Sequence, residues 1–211
     1  MSDLIPFLPG FAAAYAILLV AASSPGPAVA MLLGIGVSRG RGAAMVATAG
    51  IATGSILLNL ATMAGVSLLL TQAAWAMSLL RLLGSAYLAW LAIVAFRRAI
   101  NPPAVAAGAA PTGSRFKLFS AGFLLQVTNP KAVAFWLAIA AVGATEGGGA
   151  LVVGLFVLGA FLISFACHGA WALLLSSTPF RAAYGRARRG IETALGVLFT
   201  GFALRMATER S

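Results

Sequence analysis

The side chain with the most chemistry to offer is Lys131, a cation directly after Asn129-Pro130 in the apolar stretch 118–142. A lysine near the centre of a membrane-spanning helix costs about 2.5–3.5 kcal/mol on insertion scales, so its retention calls for a partner or a ligand. The proline before it lacks a backbone donor, clashes with the preceding turn and costs a helix roughly 3 kcal/mol. The same kind of break occurs earlier. Ser24-Pro25-Gly26-Pro27 precedes Ala28-Val29-Ala30 as Thr128-Asn129-Pro130-Lys131 precedes Ala132-Val133-Ala134, in register at an offset of 104 residues, about half the chain.

Ser24, Gly26 and Asn129 each precede a proline and are pushed toward extended backbone. The half-helices resuming at Ala28 and Ala132 then present unpaired N–H groups and the positive end of a dipole, which suits a carboxylate or another anionic group. Ser24, Pro25, Gly26, Pro27, Thr128, Asn129, Pro130 and Lys131 are therefore the expected substrate-binding residues, with Lys131 and the two helix ends holding a carboxylate. The structural alternative is that Lys131 snorkels, or pairs with a backbone carbonyl and only fixes the fold.

Other polar residues stand in apolar surroundings. Thr48, Ser55, Asn59 and Thr62 fall on one helical face, which either lines a path or, with Gly50 and Gly54, forms interhelix packing. Asn59 joins the binding set as a polar candidate, as do backbone carbonyls near Gly26 and Asn129. His168, on one face with Ser164 and Trp171, is either a proton relay or a hydrogen-bonded core residue. Asp3, Glu146, Glu192 and Glu209 are all expected near membrane edges, leaving no intramembrane carboxylate.

The elements that must position these groups are membrane helices. Of 211 residues 61% are hydrophobic and 9% charged, and several apolar runs reach the length needed to cross a bilayer. Continuous runs rather than alternation exclude a barrel, so the fold class is all-α and polytopic. Six spans are expected, near 11–36, 43–70, 73–96, 118–142, 151–175 and 191–207. The net charge of +10 does not indicate nucleic acid, because the basic residues cluster in short loops, at Arg39 and Arg41, Arg97 to Lys117, and Arg181 to Arg189. That placement is the signature of cytoplasmic loops and puts both termini outside. Residues 1–10 lack a positive n-region and contain Asp3, so the first apolar segment is expected to be retained rather than cleaved.

Three spans per half make the second half insert upside down relative to the first. The expected division is a first three-helix repeat at 1–100, a Pro- and Ala-rich cytoplasmic linker at 101–116 and a second repeat at 117–211. Inverted repeats with discontinuous helices at corresponding places point to a secondary transporter working by alternating access, with its site near the midplane.

Other chemistries are excluded on residues. Metal transport needs acids or thiolates at the midplane. Thiol exchange needs a cysteine pair, and Cys167 is alone. No G-x-x-x-x-G-K-[ST] loop or paired catalytic acids are present, so no enzyme activity, metal or cofactor is expected. The rivals kept beside transport are a non-transporting membrane scaffold or accessory subunit, and a cation exporter of similar architecture.

The Ser24-Pro25-Gly26-Pro27 break, Gly40-Arg41-Gly42, Gly50 and Gly54, the run from Arg81 through Gly84 to Tyr87-Leu88, and Asn129-Pro130-Lys131-Ala132 together resemble the LysE/RhtB family of amino-acid exporters. The likeness covers nearly the whole chain in the right order. It implies efflux of amino acids, such as basic ones, homoserine, threonine or branched-chain ones, from the bacterial cytoplasm across the inner membrane. The membrane potential or a proton gradient would drive it. The implied partners are the amino acid and the lipid bilayer, without nucleic acid, and a homo-oligomer is compatible with this. Ser55 stands where members often carry an acidic residue, which removes support for a basic substrate and for proton coupling at that position.

Overall fold

In the computed structural model, which describes residues 2–72, 74–102, 111 and 113–208, every regular element among the described residues is helical. A 3-10 turn at Ser2–Phe7 leads into α1 (Leu8–Ser23), followed by α2 (Pro27–Arg39), α3 (Arg41–Gln72), α4 (Ala74–Ile100), α5 (Arg115–Thr128), α6 (Pro130–Ala140), α7 (Ala150–Leu174) and α8 (Thr178–Thr208). The linker expected at 101–116 falls mostly outside the described residues, although Arg39 donates to the carbonyls of Pro111 and Gly113 beside it, at 3.2 and 2.7 Å.

Both prolines act as expected of that residue. Pro27 and Pro130 occupy the first turns of α2 and α6, where a missing N–H deprives no carbonyl and the fixed φ suits the helix. The residues in front of them are extended: Gly26 has φ −170° and Asn129 has ψ 112°. The second break turns the chain by 60° between α5 and α6.

Among the described residues, four helical stretches are long and apolar enough to cross a membrane, Leu4–Ser23, Arg41–Gly65, Leu82–Ile100 and Ala150–Leu174, and α5 with α6 makes a fifth if the bent pair is one span. Large apolar side chains such as Leu57, Trp90, Leu158, Leu162 and Val197 remain exposed on the outer faces, as a lipid-facing surface requires. Inside, α3 packs along α5 and α7, α4 along α8, and α1 with α2 against α7. The α3–α5 crossing depends on small residues. A Cβ on Gly50 would fall 2.0 Å from the Phe119 carbonyl oxygen and one on Gly122 2.2 Å from that of Ala47, so the backbones touch. This contact brings Gln126 of α5 beside Ser55 of α3.

One expectation needs correction. The last helix begins at Thr178 rather than near 191, because the basic stretch is composed largely of Ala and Arg, both good helix formers, and α8 runs through it. On this helix Glu192 is only 1% exposed. It lies on a stripe with Tyr184, Arg188, Leu195, Phe199 and Ala203, whose steps of four, four, three, four and four keep one face turned inward.

Candidate functional site

The two breaks meet. The Lys131 ammonium, at the start of α6, donates to the Ser24 carbonyl oxygen at 3.0 Å and to the Ser24 hydroxyl, 107 residues away in the first break. Ser24 can accept because the break frees its carbonyl from the helical ladder, while its own hydroxyl donates back to Ala21 O at 2.8 Å. Gly26 leaves room for the lysine: a Cβ there would lie 3.3 Å from Lys131 Nζ. On the other side Asn129 caps α6, its Oδ1 accepting from the Lys131 backbone N–H at 3.1 Å. The first turn of α2 has no side-chain cap.

A cavity of about 40 Å³ opens between the breaks, lined among others by Ser24, Gly26, Pro27, Asn129, Lys131 and Phe135. That is room for about three water molecules. Its far wall is a hydrogen-bonded chain. Gln126 Nε2 donates to Ser55 Oγ at 3.0 Å, Ser55 and Ser164 share a hydroxyl bond of 3.0 Å, and His168 Nδ1 donates to the Ser164 carbonyl at 2.8 Å. The last bond places a proton on Nδ1, so that in the neutral ring Nε2 is the acceptor.

Of the residues selected from the sequence, Ser24, Gly26, Pro27, Ser55, Asn129, Lys131 and His168 line this cavity, and Pro25 is buried in the break beside it. Thr128 and Pro130 are exposed, and the Thr128 hydroxyl turns back to Leu124 O at 2.7 Å. Thr48, Asn59 and Thr62 are buried on α3 away from the cavity lining. Thr48 and Thr62 bond to carbonyls of their own helix, whereas both side-chain polar atoms of Asn59 lack a hydrogen-bond partner. Gln126, Phe135 and Trp136 also line the cavity and were not selected. Gln126 had a signal, being an amide in an apolar span five residues before Lys131. Among the described residues no three His, Cys, Asp or Glu side chains converge to hold a metal.

Paired helix breaks bridged by a half-buried lysine, on helices apolar enough for a bilayer, define a membrane protein with an internal polar site, and residues 19–210 match the family model of the LysE type translocators. The chain belongs to this family. It is 27% identical to the threonine efflux protein of Escherichia coli strain K12 over 91% of this chain and 94% of that one. It is 29% identical to the leucine efflux protein of Enterobacter sp. strain 638, covering 92% of each. The uncharacterized membrane protein YahN of Escherichia coli strain K12 is 28% identical, over 88% of this chain and 83% of that protein. No solved structure matches the chain significantly.

Proposed function

We propose that this protein is a secondary transporter that exports neutral amino acids, or close derivatives, from the bacterial cytoplasm across the inner membrane. The observation that carries the reading is the bond from Lys131 in one break to Ser24 in the other. It supports a single cationic site built from both halves. The similarity to threonine and leucine efflux proteins supports the substrate class and the outward direction.

In this reading the chain is two inverted three-helix repeats: α1 with α2, α3 and α4 form one, and α5 with α6, α7 and α8 form the other, with both termini outside. The substrate carboxylate is received by Lys131 and the uncapped end of α2, where the dipole adds to the lysine charge. Its amino group is met by acceptors on the opposite wall, among them the Gln126 side-chain oxygen. Three waters are fewer heavy atoms than threonine or leucine contains. Loading therefore requires the repeats to rock apart, which is the alternating-access step. The membrane potential or a proton gradient supplies the driving force.

Counterflow in proteoliposomes tests this. Purified protein reconstituted with unlabelled amino acid inside should accumulate a labelled neutral amino acid from a panel that includes threonine and leucine, with saturation and with a response to an imposed potential or pH gradient. Absence of saturable flux for every member of the panel would contradict it.

A further inference from the structure

Among the residues whose burial is described, Glu192 is the sole buried acidic side chain, and the export scheme above does not use it. Its face of α8 packs along α4. Leu195 and Phe199, three and seven residues on, pack in one cluster with Phe135, and the Phe135 and Phe199 rings lie 5.5 Å apart. Phe135 lines the cavity one helical turn beyond Lys131. The stripe that carries Glu192 therefore reaches the cavity wall through Phe199.

Its surroundings are cationic. The positive charges acting on its carboxylate come from Arg98 of α4, Arg188 of its own helix and Lys131 of α6. The Arg188 Nε lies 3.8 Å from Glu192 Oε1, and that oxygen has no hydrogen-bond partner. Tyr184, beside Arg188 on the same stripe, packs with Val29 and Leu33 of α2, and the Arg188 guanidinium lies 5.9 Å from its ring centre. A buried carboxylate held by one long ion pair is an expensive feature for packing alone.

We infer that Glu192 is the internal counter-ion of the empty carrier: it balances the Lys131 and arginine charges when no substrate carboxylate does, and so permits the unloaded protein to return. The inference rests on the exporter reading. With substrate bound, the amino acid's carboxylate neutralises Lys131 during the outward step. After release, Lys131 keeps only the neutral Ser24 oxygens as acceptors, and carrying its charge back through a medium of low dielectric is opposed unless the protein supplies an anion.

Two fluxes separate this role from a structural one. In proteoliposomes holding labelled leucine or threonine, exchange against external unlabelled amino acid uses only loaded steps, whereas net efflux into amino-acid-free buffer also needs the empty return. Glu192→Gln should keep exchange within about twofold of wild type while net efflux falls at least about tenfold, the size expected when one buried charge pair is lost. Glu192→Asp, which keeps the charge, should recover part of the net efflux. Wild-type net efflux in Glu192→Gln would overturn the inference. Equal loss of both fluxes in Glu192→Gln and Glu192→Asp would also overturn it, by making the residue structural. If the wild-type protein itself shows no exchange of any amino acid, the exporter reading fails first, and that result is read independently of Glu192.

Discussion

The first break leaves Ser24, Pro25 and Gly26 outside any helix and gives α2 no side-chain cap, whereas the second leaves only Asn129 outside, and that residue caps α6 itself. The second break is therefore self-sufficient. Asn129 satisfies one of the helix's free donors and fixes the turn from which Lys131 projects. The first break is open: it offers a freed carbonyl and a hydroxyl that hold the lysine, and a helix end whose donors no side chain occupies. Two sequences that align as repeats have divided one task, with the second positioning the charge and the first receiving it and, in the proposed function, meeting the ligand. A strictly symmetric pair could not do this, because two capped ends would leave fewer free donors and two lysines would repel.

Four substitutions test that division, in order of expected effect. Lys131→Met removes the charge from the shared site, and transport should fall by at least about a hundredfold in kcat/KM, the upper range for losing a charged hydrogen bond in a dry site. The reconstituted protein should remain folded by circular dichroism. Asn129→Ala removes the cap and should lower stability by about 1 kcal/mol, read as a lower Tm, together with a smaller loss of transport as Lys131 loses its anchor. Ser24→Ala deletes the hydroxyl but keeps the backbone carbonyl, so the lysine retains one acceptor. Transport should drop roughly threefold to tenfold, with Tm changed less than in Asn129→Ala, in keeping with about 1 kcal/mol for one hydrogen bond. Gly26→Ala brings a methyl group to 3.3 Å from Lys131 Nζ, near the flexible end of the side chain, and should change the rate by about twofold or less. A reversed order, with Ser24→Ala lowering Tm more than Asn129→Ala, would break the comparison.

The breaks were legible in the sequence because proline and its neighbours act locally: Pro27 and Pro130 open α2 and α6, and Asn129 sits at the turn. The convergence of the two breaks was expected through the repeat, whereas the bond from Lys131 to Ser24, across 107 residues, has no local signature. Ser55 and His168 were selected as polar residues in apolar spans, yet Ser164 links them across the α3–α7 packing, and Gln126 joins Ser55 only because α3 and α5 approach closely. Gly50 and Gly122 permit that approach without revealing its register. The start of α8 was misplaced for a physical reason. Basic residues were taken as the end of the membrane segment, but a helix can continue through an arginine-rich stretch, and the inward stripe from Tyr184 to Ala203 becomes visible only when the whole of α8 is laid on one helix. The paired polar atoms of Thr48 and Thr62 and the unpaired ones of Asn59 show the same limit, because one face of α3 meets different neighbours along its length.

The central claim is that both breaks together hold a carboxylate at Lys131, and competition in the counterflow assay tests it most directly. Uptake of labelled leucine or threonine is measured against the unlabelled amino acid and against the matching amino alcohol, which keeps the side chain and amino group but lacks the carboxylate. The account predicts that the amino acid competes and the amino alcohol does so at least about tenfold more weakly, the loss of one charge-assisted hydrogen bond. Equal competition by the amino alcohol would contradict it.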